Sequence, residues 1–466
     1  MPTATTLPLI ILIAVLWRLT KGNILSVIVY TSIFDSASAL NIGKLGVSPW
    51  MVALLVGLVE KVVRGHAPIR LIPGLNRLAL KLGVFFLVYS AWSAIVYPVL
   101  FAGVAVMSSH DSSPAPLLWN VSNLAQLCYL IACAFVYFIA LTSTRDELRS
   151  ALDWYVRGAI TAAFVAMYQL ANAVWHVPYP SAILYSHPGH VIYPAFMIHG
   201  MWRLNGPFPE ASELATYACL GVALLGWDVV TRRFRLTTTL GLALLISAVL
   251  MTLSTVGYLC LSLILAMGAA LSIVSAFRQR SFTPQKILLA LLLVAGGTTL
   301  FLTTDASATV SNVVSSVVLE KKDTSSYRDR SAMNSAAIDT FRHTYFIGAG
   351  WGSARASGLI YGLLANEGVI GVGLLAALLL SLGFPLALSR KSTLAPENSM
   401  TYEKALFGLI SMLAALIIAG AEPVEPVFWA LIAISTAAYS NARSNEIVLV
   451  PTAGTRQYSY VAFNPS

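Results

Sequence analysis

Apolar stretches of about 20 residues recur from one end of this chain to the other, and this recurrence constrains the fold more than any other feature. A hydrocarbon layer ~30 Å thick is crossed by about 20 residues of α-helix, which satisfies its own backbone where no water is present. The runs fall at 6–19, 24–41, 46–61, 82–107, 120–142, 151–175, 211–231, 236–253, 256–277, 287–303, 357–389, 405–421 and 424–441. They predict an all-α polytopic membrane protein with about 12 or 13 transmembrane helices, built as one domain over 1–466. The first run has neither a basic leader nor a small-residue cleavage site, so it reads as a membrane segment and not a cleaved signal. Only 11% of the 466 residues are charged and 57% are hydrophobic. Soluble domains carry about 25% charged residues. This chain could not cover a water-facing surface, and it is too apolar to be disordered.

Twenty-nine lysines and arginines against 20 acids give a net charge of +9. No nucleic-acid-binding motif accompanies that excess, and nucleic acid is not an expected partner. The basic residues gather in short connections: Arg64, Arg70, Arg77 and Lys81; Arg145 and Arg149; Arg232, Arg233 and Arg235; Arg278, Arg280 and Lys286; Arg390, Lys391 and Lys404. By the positive-inside rule these face the cytoplasm, as does the tail 442–466. The alternate connections then face outward: 108–119, 176–210, the link near Ser254, and 304–356. Cys128, Cys133, Cys219 and Cys260 all lie in apolar runs without metal or disulfide spacing. The histidines also lack metal-ligand spacing, so no metal site is expected.

Two outward loops carry the candidate chemistry. The loop 176–210 ends in Arg203-Leu-Asn-Gly-Pro-Phe-Pro-Glu-Ala-Ser-Glu-Leu-Ala. Its Gly and Pro residues make a turn, and Glu210 or Ser212 suits the start of the following helix. Arg203 is either a snorkelling arginine at a helix start or an anion-binding group, since a guanidinium offers a fork of donors suited to phosphate. The loop 304–356 holds Lys321, Lys322, Arg328, Arg330, Arg342 and Arg355, against the positive-inside trend. It is either a solvated charged loop or a collar of cations for a polyanionic lipid headgroup. Glu367 falls inside an apolar run, so it should be paired or line a cavity. Asp153 and Arg157, at i and i+4, read as a structural pair.

In order and sidedness these motifs resemble the O-antigen ligase/polymerase superfamily: Arg203-x-x-Gly-Pro with Glu-Leu-Ala, a large outward loop, Phe341 to Gly352, then Asn366-Glu-Gly-Val-Ile-Gly opening a long helix. The resemblance implies a GT-C-like, inverting membrane glycosyltransferase with large periplasmic loops, acting at the periplasmic face of a bacterial inner membrane. The implied donor is a glycan on undecaprenyl diphosphate and the acceptor a sugar hydroxyl, with neither metal nor other cofactor. Membrane lipid and a chain-length regulator protein are the further partners it suggests. Arg203 matches the arginine that would hold the diphosphate. Arg328, Arg330, Arg342, Arg355, Lys321 and Tyr327 occupy the region of further binding residues, and Tyr361 with Ser357 would line the acceptor path.

Two departures favour the Wzy-type polymerase branch over the ligases. A histidine expected about nine residues before Asn366 is replaced by Ser357-Gly358, and a Ser-Arg pair is replaced by Ser254-Thr255. They leave the general base open among Glu210, Glu367 and His343. The alternatives are an O-antigen ligase acting on a lipid A-core acceptor, and a lipid-linked glycan flippase or anion transporter. A transporter is expected to show paired broken helices and inverted repeats.

Overall fold

The computed structural model describes residues 2–43, 45–63, 76–107, 114–193, 195–198, 200–231, 235–279, 325–388, 396–420, 423–443, 450–451 and 458–459. Its helices are α1 (Thr6–Leu19), α2 (Ile24–Thr31), α3 (Pro49–Val63), α4 (Arg77–Leu100), α5 (Val121–Leu141), α6 (Arg145–Trp175), α7 (Ser181–Leu184), α8 (Ala211–Thr231), α9 (Leu236–Met251), α10 (Thr255–Gln279), α11 (Ser325–His343), α12 (Leu359–Leu388), α13 (Pro396–Ala419) and α14 (Pro426–Arg443). Among the described residues, strands occur only in two-stranded antiparallel pairs, one of them β1 (Leu40–Ile42) with β2 (Leu45–Val47).

Five described helices are long and apolar enough to cross a membrane: α4, α5, α6, the stretch Leu359–Gly383 of α12, and Thr401–Ala419 of α13. Phe85, Val88, Trp92, Ile95 and Val99 form an exposed apolar stripe on α4 at helical spacing. Such a stripe is costly in water and at home in lipid. The architecture is therefore all-α and of membrane-protein type.

Local sequence sets the helix starts. Asn120 and Asn123 cap α5 reciprocally, and Thr144 and Glu147 do the same for α6. Each box satisfies two backbone N–H groups that have no partner inside the helix. In the bundle, α8 packs against α6, α9, α10 and α13, while α14 packs on α5 and α13, and α4 on α12. Phe86, Tyr137 and Trp429 form an aromatic centre, with ring centroids 5.7 Å apart for Phe86–Trp429 and 6.0 Å for Tyr137–Trp429.

Cross-links between connections sort them to two ends of the bundle. At one end the His187 N–H donates to the Ser36 carbonyl (3.0 Å), Leu204 N–H to Met251 (3.0 Å), and Arg355 N–H to Met107 (2.8 Å). At the other, Asn23 Nδ2 donates to the Glu147 carbonyl at 2.9 Å, and Lys404 Nζ lies 2.7 Å from Asp228 and 3.3 Å from Asp153.

Four expectations need correction. The run 24–41 is no single span: α2 stops at Thr31 and continues as buried non-helical chain before β1. The Thr31 and Ser32 hydroxyls donate back to the carbonyls of Val27 (2.8 Å) and Val29 (2.9 Å). Such bonds compete with helix continuation, as does the Ser/Asp-rich sequence beyond. The outward loop 304–356 is not simply a loop, because 325–343 forms α11, which packs on α12. The run 357–389 is interrupted at Gly368, whose φ of 61° and ψ of −161° are non-helical. Asp153 turns to Lys404, while Arg157 sits over the Trp154 ring with its Cζ 4.5 Å from the centroid. The run 287–303, Lys321 and most of the tail 442–466 lie outside the described residues.

Candidate functional site

Arg203 ends the short strand β4 (Met201–Arg203), which pairs with β3 (Phe196–Ile198) so that Phe196 stands opposite Arg203. The guanidinium lies over that ring, 5.5 Å from Cζ to the centroid, and its Nε donates to the Thr252 carbonyl at 3.2 Å. The turn that follows is locked from α6. Gln169 Oε1 accepts from Gly206 N (2.9 Å) and Asn205 N (3.2 Å), and Gln169 Nε2 donates to Asn205 Oδ1 (2.7 Å). Tyr185 closes it by donating to the Gly206 carbonyl at 2.6 Å. Gly206 is left-handed, with φ +56°, and a Cβ there would meet the Ala162 carbonyl at 3.3 Å. The Gly-Pro turn thus sets the direction in which Glu210 leaves for α8.

Glu210 accepts from Ser212 Oγ at 2.8 Å and meets Arg330 of α11, with Nη2 3.5 Å from Oε2. Burial holds the Arg203 guanidinium below its ordinary pKa; Glu210 opposes the shift and Arg330 adds to it. Arg203, Arg330 and Glu210 therefore share one electrostatic neighbourhood. Glu213, in the first turn of α8, lies within electrostatic reach of Asp35, Glu210, Glu425 and Arg355. Asp35 sits in the non-helical chain after α2, and Glu425 in the link just before α14. Burial first, and then the Asp35 charge, raise the Glu425 carboxyl above the usual carboxylate range. Three arginines and four carboxylates thus converge at one end of the bundle.

His187 and His190 complete this end. Their rings stack with centroids 4.1 Å apart. His190 Nδ1 lies 3.8 Å from Asp35 Oδ2. His187 Nδ1 accepts from Gly189 N at 3.2 Å, and its Nε2 is 3.3 Å from the Tyr129 hydroxyl.

The Asn366-Glu-Gly segment has a different task. Asn366 Oδ1 accepts from Ser353 N (3.0 Å) and Ala354 N (2.7 Å), and its Nδ2 donates to the carbonyls of Ala354 (2.8 Å) and Gly362 (3.0 Å). Glu367 is fully buried and accepts from Ser93 (2.6 Å) and Ser90 (3.2 Å) of α4. Gly348 and Gly350 take φ of +95° and +97°, and a Cβ at Gly348 would meet the Asn366 carbonyl at 2.5 Å. The glycines allow the 348–355 chain to press against the broken helix, and the clasp presents Arg355.

The expected residues therefore divide. Arg203, Glu210 and Arg330 come together, and the exposed Arg355 is tied to them through its electrostatic effect on Glu213. Glu367 does not join them; it is sealed against α4. Arg328 is exposed, and Arg342 is an exposed partner of Asp339 at 3.6 Å. His343 is exposed at the end of α11, with Nδ1 donating to the Asp339 carbonyl at 2.7 Å. Tyr361 is exposed on α12, and Tyr327 lies in α11. Asp35 and His190 were not singled out by the motifs. Asp35 carried one signal, an ionisable side chain within an apolar run.

The chain matches no protein-family model and no curated protein.

Proposed function

We propose that this protein is a Wzy-type polymerase that joins undecaprenyl-diphosphate-linked repeat units by inverting glycosyl transfer. The observation that carries the reading is the grouping of Arg203 and Arg330 with Glu210 at one bundle end, with Arg355 within electrostatic reach of the neighbouring Glu213. Diphosphate departure develops negative charge, and fixed guanidinium groups in a poorly solvated site stabilise it with little reorganisation. By the positive-inside pattern we read that end as the outward one; in the polymerase reading it faces the periplasm of a bacterial inner membrane, in a GT-C-like bundle of 12 or 13 spans. The carboxylates on the other side of the cluster suit the hydroxyls of an incoming saccharide. Holding both sugars at reacting distance removes much of the entropic barrier. An O-antigen ligase would use the same donor geometry.

A transporter is favoured by one observation. Two helices are interrupted, α2 after Thr31 and α12 at Gly368, and broken helices commonly build transport sites. Against it, the polar cluster gathers at one end of the bundle.

A deletion strain separates the readings. One repeat unit accumulating on the periplasmic carrier supports the polymerase. A full-length chain stranded on the carrier means a ligase, and units held at the inner leaflet mean a flippase. Complementation with Arg203→Ala should restore membrane protein but no long glycan; long glycan from that variant would overturn the proposed role of Arg203.

A further inference from the structure

The general base is the missing part of this site. Glu210 is engaged by Arg330 and Ser212. Glu367 is sealed. His343 donates from Nδ1 at the protein surface. Within the cluster, His190 is differently placed. Its side chain is 27% exposed, yet its Nδ1 is buried, lacks a hydrogen-bond partner, and faces Asp35 at 3.8 Å. The exposed part of the ring is therefore the edge that carries Nε2.

The ring is also held. It stacks on His187 at an interplanar angle of 27°. His187 is pinned in turn by Tyr129, by Gly189 N and by the bond from its own N–H to Ser36. Three residues beyond His190, Tyr193 N–H donates to the Pro209 carbonyl at 2.9 Å, which ties this segment to the Glu210 turn. A base whose far nitrogen faces a carboxylate, on a pinned ring in a segment tied to the Glu210 turn, suits general-base catalysis of hydroxyl attack.

We propose that His190, oriented by Asp35, accepts the proton of the acceptor hydroxyl; the inference rests on the polymerase reading. The acceptor oxygen bonds to the anomeric carbon of the donor sugar. The bond from that carbon to the diphosphate oxygen breaks, and its electron pair leaves on the oxygen, facing Arg203 and Arg330. The hydroxyl proton passes to His190 Nε2, and the Asp35 carboxylate stabilises the imidazolium. The other titratable groups around the pair are His187 on the same loop, Tyr129 on α5, Glu213 on α8 and Glu425 before α14. A finished turnover releases the proton to water or to these carboxylates.

The test uses full-length protein in proteoliposomes with the carrier-linked repeat unit extracted from the deletion strain. His190→Ala should lower kcat by about 100-fold or more, the usual scale of general acid–base catalysis, and leave the donor KM within about threefold. Added imidazole should restore part of the rate. In His190→Gln the acid limb of the pH–rate profile should vanish, which covers the case in which the alanine variant folds poorly. Asp35→Asn should lower kcat without imidazole rescue. A His190→Ala rate within about threefold of wild type, or a loss in folded protein that imidazole does not relieve, overturns the dyad alone. Wild-type protein that turns over no polyprenyl-diphosphate donor overturns the polymerase reading and the dyad with it.

Discussion

Arg330 leaves α11 and places Nη2 3.5 Å from Glu210 Oε2, so α11 and the turn before α8 meet in a charge pair. Both side chains keep a quarter to a third of their surface, 25% and 33%. A pair this open contributes under about 1 kcal/mol to stability. In the proposed donor site its weight would lie in positioning, with Glu210 holding Arg330 near Arg203. Arg330→Ala should weaken binding of undecaprenyl diphosphate about tenfold, the scale of one charge-assisted hydrogen bond. Glu210→Gln should tighten it severalfold by removing a competing carboxylate. Direct binding to the detergent-solubilised protein measures both. Unchanged affinity in both variants would remove the pair from the donor site.

Lys404 is a buried cation at the opposite end, held by Asp228 at 2.7 Å and Asp153 at 3.3 Å. It joins α13 to α8 and α6. Removing one member of a buried ion group leaves an uncompensated charge, at a cost of about 3–5 kcal/mol. Lys404→Met should therefore lower the thermal midpoint strongly. Asp153→Ala should do little, because that carboxylate is 47% exposed. A Lys404→Met midpoint equal to wild type would show that the triad carries no stability.

Much of this fold was legible because lipid allows few solutions. A run of about 20 apolar residues has to become a helix, and the runs at 120–142 and 211–231 did so nearly to the residue, while the helix expected over 151–175 starts six residues earlier, at Arg145. Legibility failed where polar side chains change the backbone locally. The serines around Asp35 end α2 early, and Gly368 breaks α12, yet neither event disturbs average hydrophobicity. In the site, Arg203, Glu210, Arg330 and Arg355 were readable as charges kept outside the basic connections. Asp35 and His190 were not, since they join the arginines only through the folded path of residues 32–39 and 186–193. Glu367 misled for a physical reason: a costly carboxylate in an apolar run marks either a site or a clasp, and Ser90 and Ser93 make it a clasp.

Asn366 uses three of its four amide hydrogen bonds to hold the chain just before Arg355, and the fourth goes to Gly362 of its own helix. Asn366→Ala strands the N–H groups of Ser353 and Ala354 and the Ala354 carbonyl. At about 1–3 kcal/mol for each unsatisfied group, partly relieved by relaxation, the loss should be about 2–4 kcal/mol. Donor affinity should fall as well, because Arg355 loses its support. A double-mutant cycle with Arg355→Ala reads the coupling. If the two substitutions are additive in donor affinity, the clasp does not act through Arg355.

His187 gives the protein a pH dependence of defined sign. Its ring packs so closely on β2 that a Cβ at Gly46 would lie 2.6 Å from it. Burial, and secondarily the neighbouring His190, hold its imidazole down at about 4, against an ordinary value of 6.5. Between those pH values the unfolded chain binds a proton that the folded chain refuses. Stability from this group is therefore complete above about pH 6.5 and is lost as pH falls toward 4, by on the order of 3 kcal/mol. Unfolding midpoints of the wild-type protein should fall between pH 7.5 and pH 4.5. The same measurement on His187→Asn should show a shallower decline. Gly46→Ala should lower the midpoint at neutral pH by forcing the ring out of its place against β2. A decline of equal slope in His187→Asn would assign the pH dependence to other groups.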